Sequence, residues 1–181
     1  PKATADLIQA QDITLCAGDK ATLEATSTVV PSPVFTWYSD AQLQHKLGVG
    51  TLNVQPATTT TYYVTVQGTG YCENAPGTGK QLTVTVNPKA TASDLSIKGT
   101  ASVCAGTKVT LSATSAVAGA VFTWYGDAQL QQKLGTGTTL DVTPSVTTTY
   151  YATVQGTGVC ENAPGDAASF TVTADAAPSK P

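Results

Sequence analysis

The chain contains no arginine: all nine of its basic residues are lysine. Recognition of phosphates and base edges leans on clustered Arg and Lys, so nucleic acid is excluded as a partner. Methionine is absent and histidine occurs once, as His45. That removes a Met-lined adaptable groove, a His-based relay and a His-rich metal site. Charge is scarce, at 12% of the 181 residues with a net charge of -3. No apolar run approaches the roughly 20 residues that a membrane-spanning helix needs. The four cysteines, Cys16, Cys72, Cys104 and Cys160, form no CxxC pair and supply no four-ligand zinc set in either half of the chain. No Asn-x-Ser/Thr sequon occurs, which closes that route to glycosylation. The opening Pro1-Lys2-Ala3-Thr4 carries neither an initiator Met nor a leader pattern and reads as the start of a mature or excised piece.

What is present is threonine, 33 residues of it, with Val, Ala and Gly and a 41% hydrophobic share that suffices for real cores. Thr and Val are stiff at the first side-chain torsion and suit a pleated sheet, so the composition points to an all-β protein. Self-comparison then shows one unit written twice. Pro1-Lys2-Ala3-Thr4-Ala5 recurs as Pro88-Lys89-Ala90-Thr91-Ala92, VFTWY at 34–38 recurs at 121–125, and both copies continue with DAQLQ, KLG, TTTYY, TVQGTG and CENAPG, the last at 72–77 and 160–165. The offset is 87 or 88 residues throughout. Two domains follow, 1–87 and 88–181, joined near Asn87-Pro88. The closing Pro178-Ser179-Lys180-Pro181 resembles that junction and leads us to expect a further unit in the parent protein.

Within a repeat, strand signals come every eight to twelve residues or so, separated by turn clusters such as Ala17-Gly18-Asp19, Pro31-Ser32-Pro33 and Gly48-Val49-Gly50. Residues 21–27 alternate around Leu23, and residues 81–87 alternate cleanly. Residues 34–38 place Val34, Thr36 and Tyr38 on one face against Phe35 and Trp37 on the other. No segment keeps a helical period for ten residues. The expected fold is an antiparallel β-sandwich of about seven strands per repeat.

The order of residues carries a resemblance. A strand Trp (Trp37, Trp124) follows an alternating strand around a Leu (Leu23, Leu111), and a Tyr pair opens a later strand (Tyr62-Tyr63, Tyr150-Tyr151). This resembles the immunoglobulin-like sandwich, with Leu23 and Val64 where antibody domains place their core cysteines. More narrowly, CAG before a TL strand, FTWY, LG-x-G-T, TTTYY and a late Cys resemble the bacterial Ig-like repeats of very large Bacteroidetes surface proteins, many of them exported by the type IX secretion system. The resemblance covers nearly all of both repeats. It implies an extracellular array that acts as a stalk, adhesin or filament, and it names no ligand.

All four cysteines are expected in disulfides of an oxidising compartment. Two pairings stand open. One is a bridge inside each repeat, Cys16 with Cys72 and Cys104 with Cys160. The other follows from an Ig-like strand order, which puts Cys16 in the turn before strand B and Cys72 beyond the opposite end of the sandwich. A strand of six to eight residues spans on the order of 20–25 Å, far more than bridged Cα atoms tolerate. On that order Cys16 pairs with Cys160 across the junction, and Cys72 and Cys104 await neighbours. The linker from Val86 to Ser93 holds Pro and little Gly, so it reads as short and semi-extended.

Other candidate chemistry reads as structural. Lys20 and Lys108 with Glu73-Asn74 and Glu161-Asn162 hold the ingredients of a self-formed Lys–Asn amide, but adjacent Glu and Asn cannot easily flank one Lys. Trp37 and Trp124 offer sugar-stacking faces, yet each sits in an apolar alternation that reads as core. His45 becomes Gln132 in the second copy, so no shared function depends on it. Asp6, Asp12 and Asp94 lie near the start of each repeat without a calcium-loop pattern. No nucleophile, base and orienting acid recur together, so no catalytic residue, cofactor or metal is expected and the chain is not read as an enzyme. The expected role is a structural repeat whose partners are neighbouring repeats of the same or identical chains. The alternative is a carbohydrate- or protein-binding module pair that uses the BC and FG loops, with CENAPG as a fixed ligand loop.

Overall fold

The computed structural model describes residues 1–176, so the closing Pro178–Pro181 lies outside the described residues. The chain divides into two compact units, the first Pro1–Asn87 and the second from Pro88 onward. No helix among the described residues is long and apolar enough to cross a membrane.

Unit 1 consists of β1 (Ile13–Cys16), β2 (Ala21–Leu23), β3 (Val34–Tyr38), β4 (Lys46–Val49), β5 (Leu52–Val54), β6 (Thr60–Gln67) and β7 (Lys80–Asn87). A five-stranded sheet in the order β1-β7-β6-β3-β4 and a two-stranded sheet β2-β5 make up its two layers. Unit 2 repeats the plan with β8 (Leu95–Lys98), β9 (Ser102–Cys104), β10 (Val109–Ser115), β11 (Val121–Tyr125), β12 (Lys133–Thr136), β13 (Thr139–Val142), β14 (Thr148–Gln155) and β15 (Ala168–Asp175). Its sheets run β12-β11-β14-β15-β9 and β13-β10-β8. The additional strand, β8, has as its unit 1 counterpart only an isolated bridge between Gln9 and Thr26.

Both units are Ig-like sandwiches, with two departures from the sequence reading. The larger sheets are not purely antiparallel: β1 runs parallel to β7 and β9 parallel to β15. A parallel pair needs a long crossover, and here the whole remainder of each unit supplies it. Cys16 accordingly ends an edge strand instead of lying in a turn, as does Cys104. In addition, the strand expected over 21–27 keeps ladder pairing only at Ala21–Leu23, whereas its counterpart β10 runs the full seven residues.

The apolar alternation decides what is buried. Trp37, Leu23, Val64, Val66 and Val84 fill the first core, and Trp124, Leu111, Ala152, Val154 and Val172 the second, all without exposed surface. Full burial of a large side chain stabilises by roughly 1.5–3 kcal/mol. Burial leaves each indole N–H in need of an acceptor. Trp37 Nε1 donates to the Gly50 carbonyl at 2.7 Å, and Trp124 Nε1 to the Gly137 carbonyl at 2.9 Å. Both glycines have positive φ, +79° and +121°, a backbone that side chains avoid. That accounts for the second glycine of the LG-x-G-T motif in each copy.

Candidate functional site

The motifs that recur unchanged are the natural place to look for a site, and their polar groups are spent on one another. Alternation puts Thr36 and Tyr38 on the face of β3 opposite Phe35 and Trp37, yet both are buried. The CENAPG loop reaches the second of them. Tyr38 Oη donates to Glu73 Oε1 at 2.8 Å, and Thr65 Oγ1 donates to the same oxygen at 2.6 Å. Unit 2 repeats this with Tyr125 at 3.0 Å and Thr153 at 2.5 Å from Glu161 Oε1. Burial first, then the neighbouring Glu73 carboxylate, pushes the Tyr38 phenol above its ordinary pKa, and Tyr125 is raised in the same way beside Glu161.

The next residue, Asn74, is buried and bonded at both ends of its amide. Its Oδ1 accepts the Val66 amide at 2.9 Å, and its Nδ2 donates to the Thr78 carbonyl at 2.9 Å. Asn162 does the same with Val154 and Asp166 at 2.8 and 2.9 Å. The glycine that closes CENAPG donates to the DAQLQ loop, Gly77 N to the Ala41 carbonyl at 2.8 Å and Gly165 N to the Ala128 carbonyl at 3.1 Å. DAQLQ is folded around its own acid: the Asp40 carboxylate accepts the Gln44 and His45 amides and lies 3.1 Å from His45 Nδ1. These bonds hold the Asp40 carboxyl below its ordinary pKa. Asp127 is held down likewise by the amides of Gln132, Gln131 and Gln129.

The remaining sequence candidates fall to structural roles. Trp37 and Trp124 show no face to solvent, which removes sugar stacking by either. The Lys–Asn amide is ruled out, because Asn74 and Asn162 are buried and committed as above, while Lys108 pairs with Asp141 at 2.8 Å on an exposed surface. Asp12 accepts the Thr83 amide at 2.7 Å. Asp94 closes a capping box with Thr91, whose amide and hydroxyl hold its carboxyl below its ordinary pKa. Asp6 lies in a single 3₁₀ turn, Ala5–Leu7. Among the described residues no three His, Cys, Asp or Glu side chains converge as a metal set.

The cysteines are the exception, since each occupies a defined place at one end of its unit. Cys16 is in register with Asn87, the last residue of β7, and Ala17 N donates to the Asn87 carbonyl at 2.8 Å. Cys104 is in register with Asp175, the last residue of β15, and Ala105 N donates to the Asp175 carbonyl at 2.9 Å. Cys72 bridges Lys2, its amide donating to the Pro1 carbonyl at 3.0 Å. Cys160 bridges Lys89, its amide donating to the Pro88 carbonyl at 2.9 Å. The strand-end cysteine thus marks where the chain leaves a unit, and the loop cysteine marks where it begins one. Cys16 and Cys160 are disulfide-bonded. Cys72 and Cys104 are free thiols, both exposed. Neither bridge inside a repeat is formed, because each would need one of these free thiols.

A family model described as "Ig-like domain CHU_C associated" matches residues 1–88 and again 91–174. No curated protein sequence matches the chain. Among solved structures, the chain is similar to murine CEACAM1b at 14% identity, covering 94% of this chain and 100% of that one with a TM-score of 0.40. It is similar to the structure titled as the mouse coronavirus receptor-binding domain complexed with its murine receptor, at 13% identity, 93% and 100% coverage and a TM-score of 0.44. The titin I-band fragment I67–I69 gives 13% identity, 93% and 64% coverage and a TM-score of 0.41. At these identities and scores the likenesses add nothing to the strand order and the family match.

Proposed function

The chain belongs to the CHU_C-associated Ig-like domain family, and from that premise we propose that it is a structural pair of repeats from an extracellular stalk, adhesin or filament, stapled by a Cys16–Cys160 disulfide. One observation carries the reading: the two disulfide-bonded cysteines sit, each within its own unit, against consecutive residues of the chain, Cys16 beside Asn87 and Cys160 beside Pro88. Both anchors are backbone hydrogen bonds inside a unit, and they hold the two cysteines to consecutive residues of the linker. Closing a bond there fixes the junction covalently a second time. The same disulfide fits an oxidising, extracellular setting.

The binding-module reading loses its best candidate loop. CENAPG spends its carboxylate, its amide and its closing glycine on internal bonds, which supports a structural role for the loop. We propose no enzymatic activity.

Peptide mapping without reductant, combined with a thiol count, tests the staple. The expected result is one linked pair, the Cys16 peptide with the Cys160 peptide, and two titratable thiols. A Cys16–Cys72 or Cys104–Cys160 link would overturn it. Limited proteolysis supplies the functional arm: a stapled chain cut near Asn87-Pro88 stays in one piece until reductant is added.

A further inference from the structure

We propose that the two free thiols are a complementary couple, so that Cys104 of one chain forms a disulfide with Cys72 of a second copy and the protein concatenates head to tail. The inference rests on the Cys16–Cys160 reading above. It stands on an internal comparison: each free cysteine occupies the position that is disulfide-bonded in the other repeat. Cys104 ends its edge strand against the last residue of β15 as Cys16 does against the last residue of β7, with matching amide bonds of 2.9 and 2.8 Å from the following alanine. Cys72 holds the first residues of unit 1 as Cys160 holds those of unit 2, its flanking bonds of 3.0 and 2.9 Å matching 2.9 and 2.8 Å. The backbone frames that present the bonded pair are therefore both present again, one at the exit of unit 2 and one at the start of unit 1. Both thiols are exposed.

The complement is directional. A strand-end cysteine meets a loop cysteine, so the contact uses two different surfaces and leaves a free donor and a free acceptor on every product. Such a heterologous contact propagates as an open line and does not close as a dimer. The chemistry needs an oxidant, here a small-molecule disulfide such as oxidised glutathione. The Cys104 thiolate attacks it, forming a mixed disulfide and releasing one glutathione thiolate. The Cys72 thiolate of the second copy then attacks the Cys104 sulfur and releases the other. Two protein thiols lose two electrons and two protons, and one oxidised glutathione becomes two reduced ones.

The experiment mixes Cys72→Ser and Cys104→Ser variants of the full chain in equal amounts with oxidised glutathione and resolves the products by mass spectrometry without reductant. Both substitutions are at exposed positions, and an unchanged melting temperature confirms the fold of each. Each variant alone can form only a like-with-like dimer. The expected result is a Cys104–Cys72 heterodimer in about twentyfold excess over either homodimer, about tenfold above the random ratio of two as a discrimination of about 1.4 kcal/mol gives, and a ladder of oligomers from the unsubstituted chain. A random distribution of dimers, or no coupling, overturns the proposal. Peptide mapping of the monomer separates the two readings: a confirmed Cys16–Cys160 link with random dimers sinks only the concatenation, whereas an absent link removes its premise.

Discussion

Glu73 and Glu161 each take two hydroxyl donors on a single oxygen, from Tyr38 and Thr65 in one unit and from Tyr125 and Thr153 in the other. Thr65 is fully buried, so Glu73→Ala leaves its hydroxyl only the Thr36 carbonyl, a long 3.4 Å away, as an acceptor. A loss of about 1–3 kcal/mol is expected in urea unfolding of the whole chain, with Glu73→Gln milder because the amide oxygen still accepts. The two tyrosines add a pH dependence. Their phenols are held above the ordinary 10.0 in the folded unit, so the folded state keeps its proton where the unfolded chain loses it. This stabilisation is complete below about pH 10 and is lost as pH rises through the folded value. Thermal melts across that range should show a steep alkaline fall that the double variant Tyr38→Phe, Tyr125→Phe flattens. Part of the fall remains, because burial raises Tyr62 as well. None of this was legible from alternation, which only set Thr36 and Tyr38 on the face opposite Phe35 and Trp37. The signal that could have revealed it is the constant eight-residue spacing from Thr65 to Glu73 and from Thr153 to Glu161 in both copies.

At the scale of strands and loops, the repeated motifs were readable wherever period and burial agree. VFTWY forms β3 and β11 over the expected residues, and its Trp is core. The edge strands were not readable. ITLC in β1 and SVC in β9 are short and half-exposed, so neither period nor length marks them, and their parallel partners lie far along the chain. Long-range pairing of this kind is set by tertiary structure and not by local preference. Loop contacts were equally hidden. Gly68 lets the BC loop approach so closely that a Cβ there would sit 2.4 Å from the Pro31 carbonyl oxygen and 2.6 Å from Val30 Cγ1, and Gly156 stands in the same relation to Ala118 and Val117. The first of these neighbours is backbone and cannot swing aside. Gly68→Ala is therefore expected to cost about 1–3 kcal/mol by overpacking, read in urea unfolding. Gly70→Ala is a control of a different kind: a Cβ there meets open space, and only the positive φ penalises it.

For the molecule as a whole, the parallel edge decides how a unit yields when it is pulled. β1 lies near the start of unit 1 and β7 at its end, joined by the register Ile13–Val84, Thr14–Thr85, Leu15–Val86 and Cys16–Asn87. Force applied at the two ends of the unit draws these strands past each other along their length, so the bonds of the ladder resist together in shear. An antiparallel pair joined by a hairpin would instead open one bond at a time. Leu15→Pro removes one amide donor from β1 and should lower the rupture force of unit 1, measured by pulling the reduced chain in an optical trap, far more than it lowers the melting temperature. With a Cys16–Cys160 bond closed, tension passes from β1 through sulfur to Cys160, and residues 17–159 lie outside the covalent load path. The oxidised chain should then lengthen by only a small fraction of what the reduced chain gives before it stops. An edge strand of four residues is thus the clamp of the reduced chain, and the sulfur at its end the stop of the oxidised one.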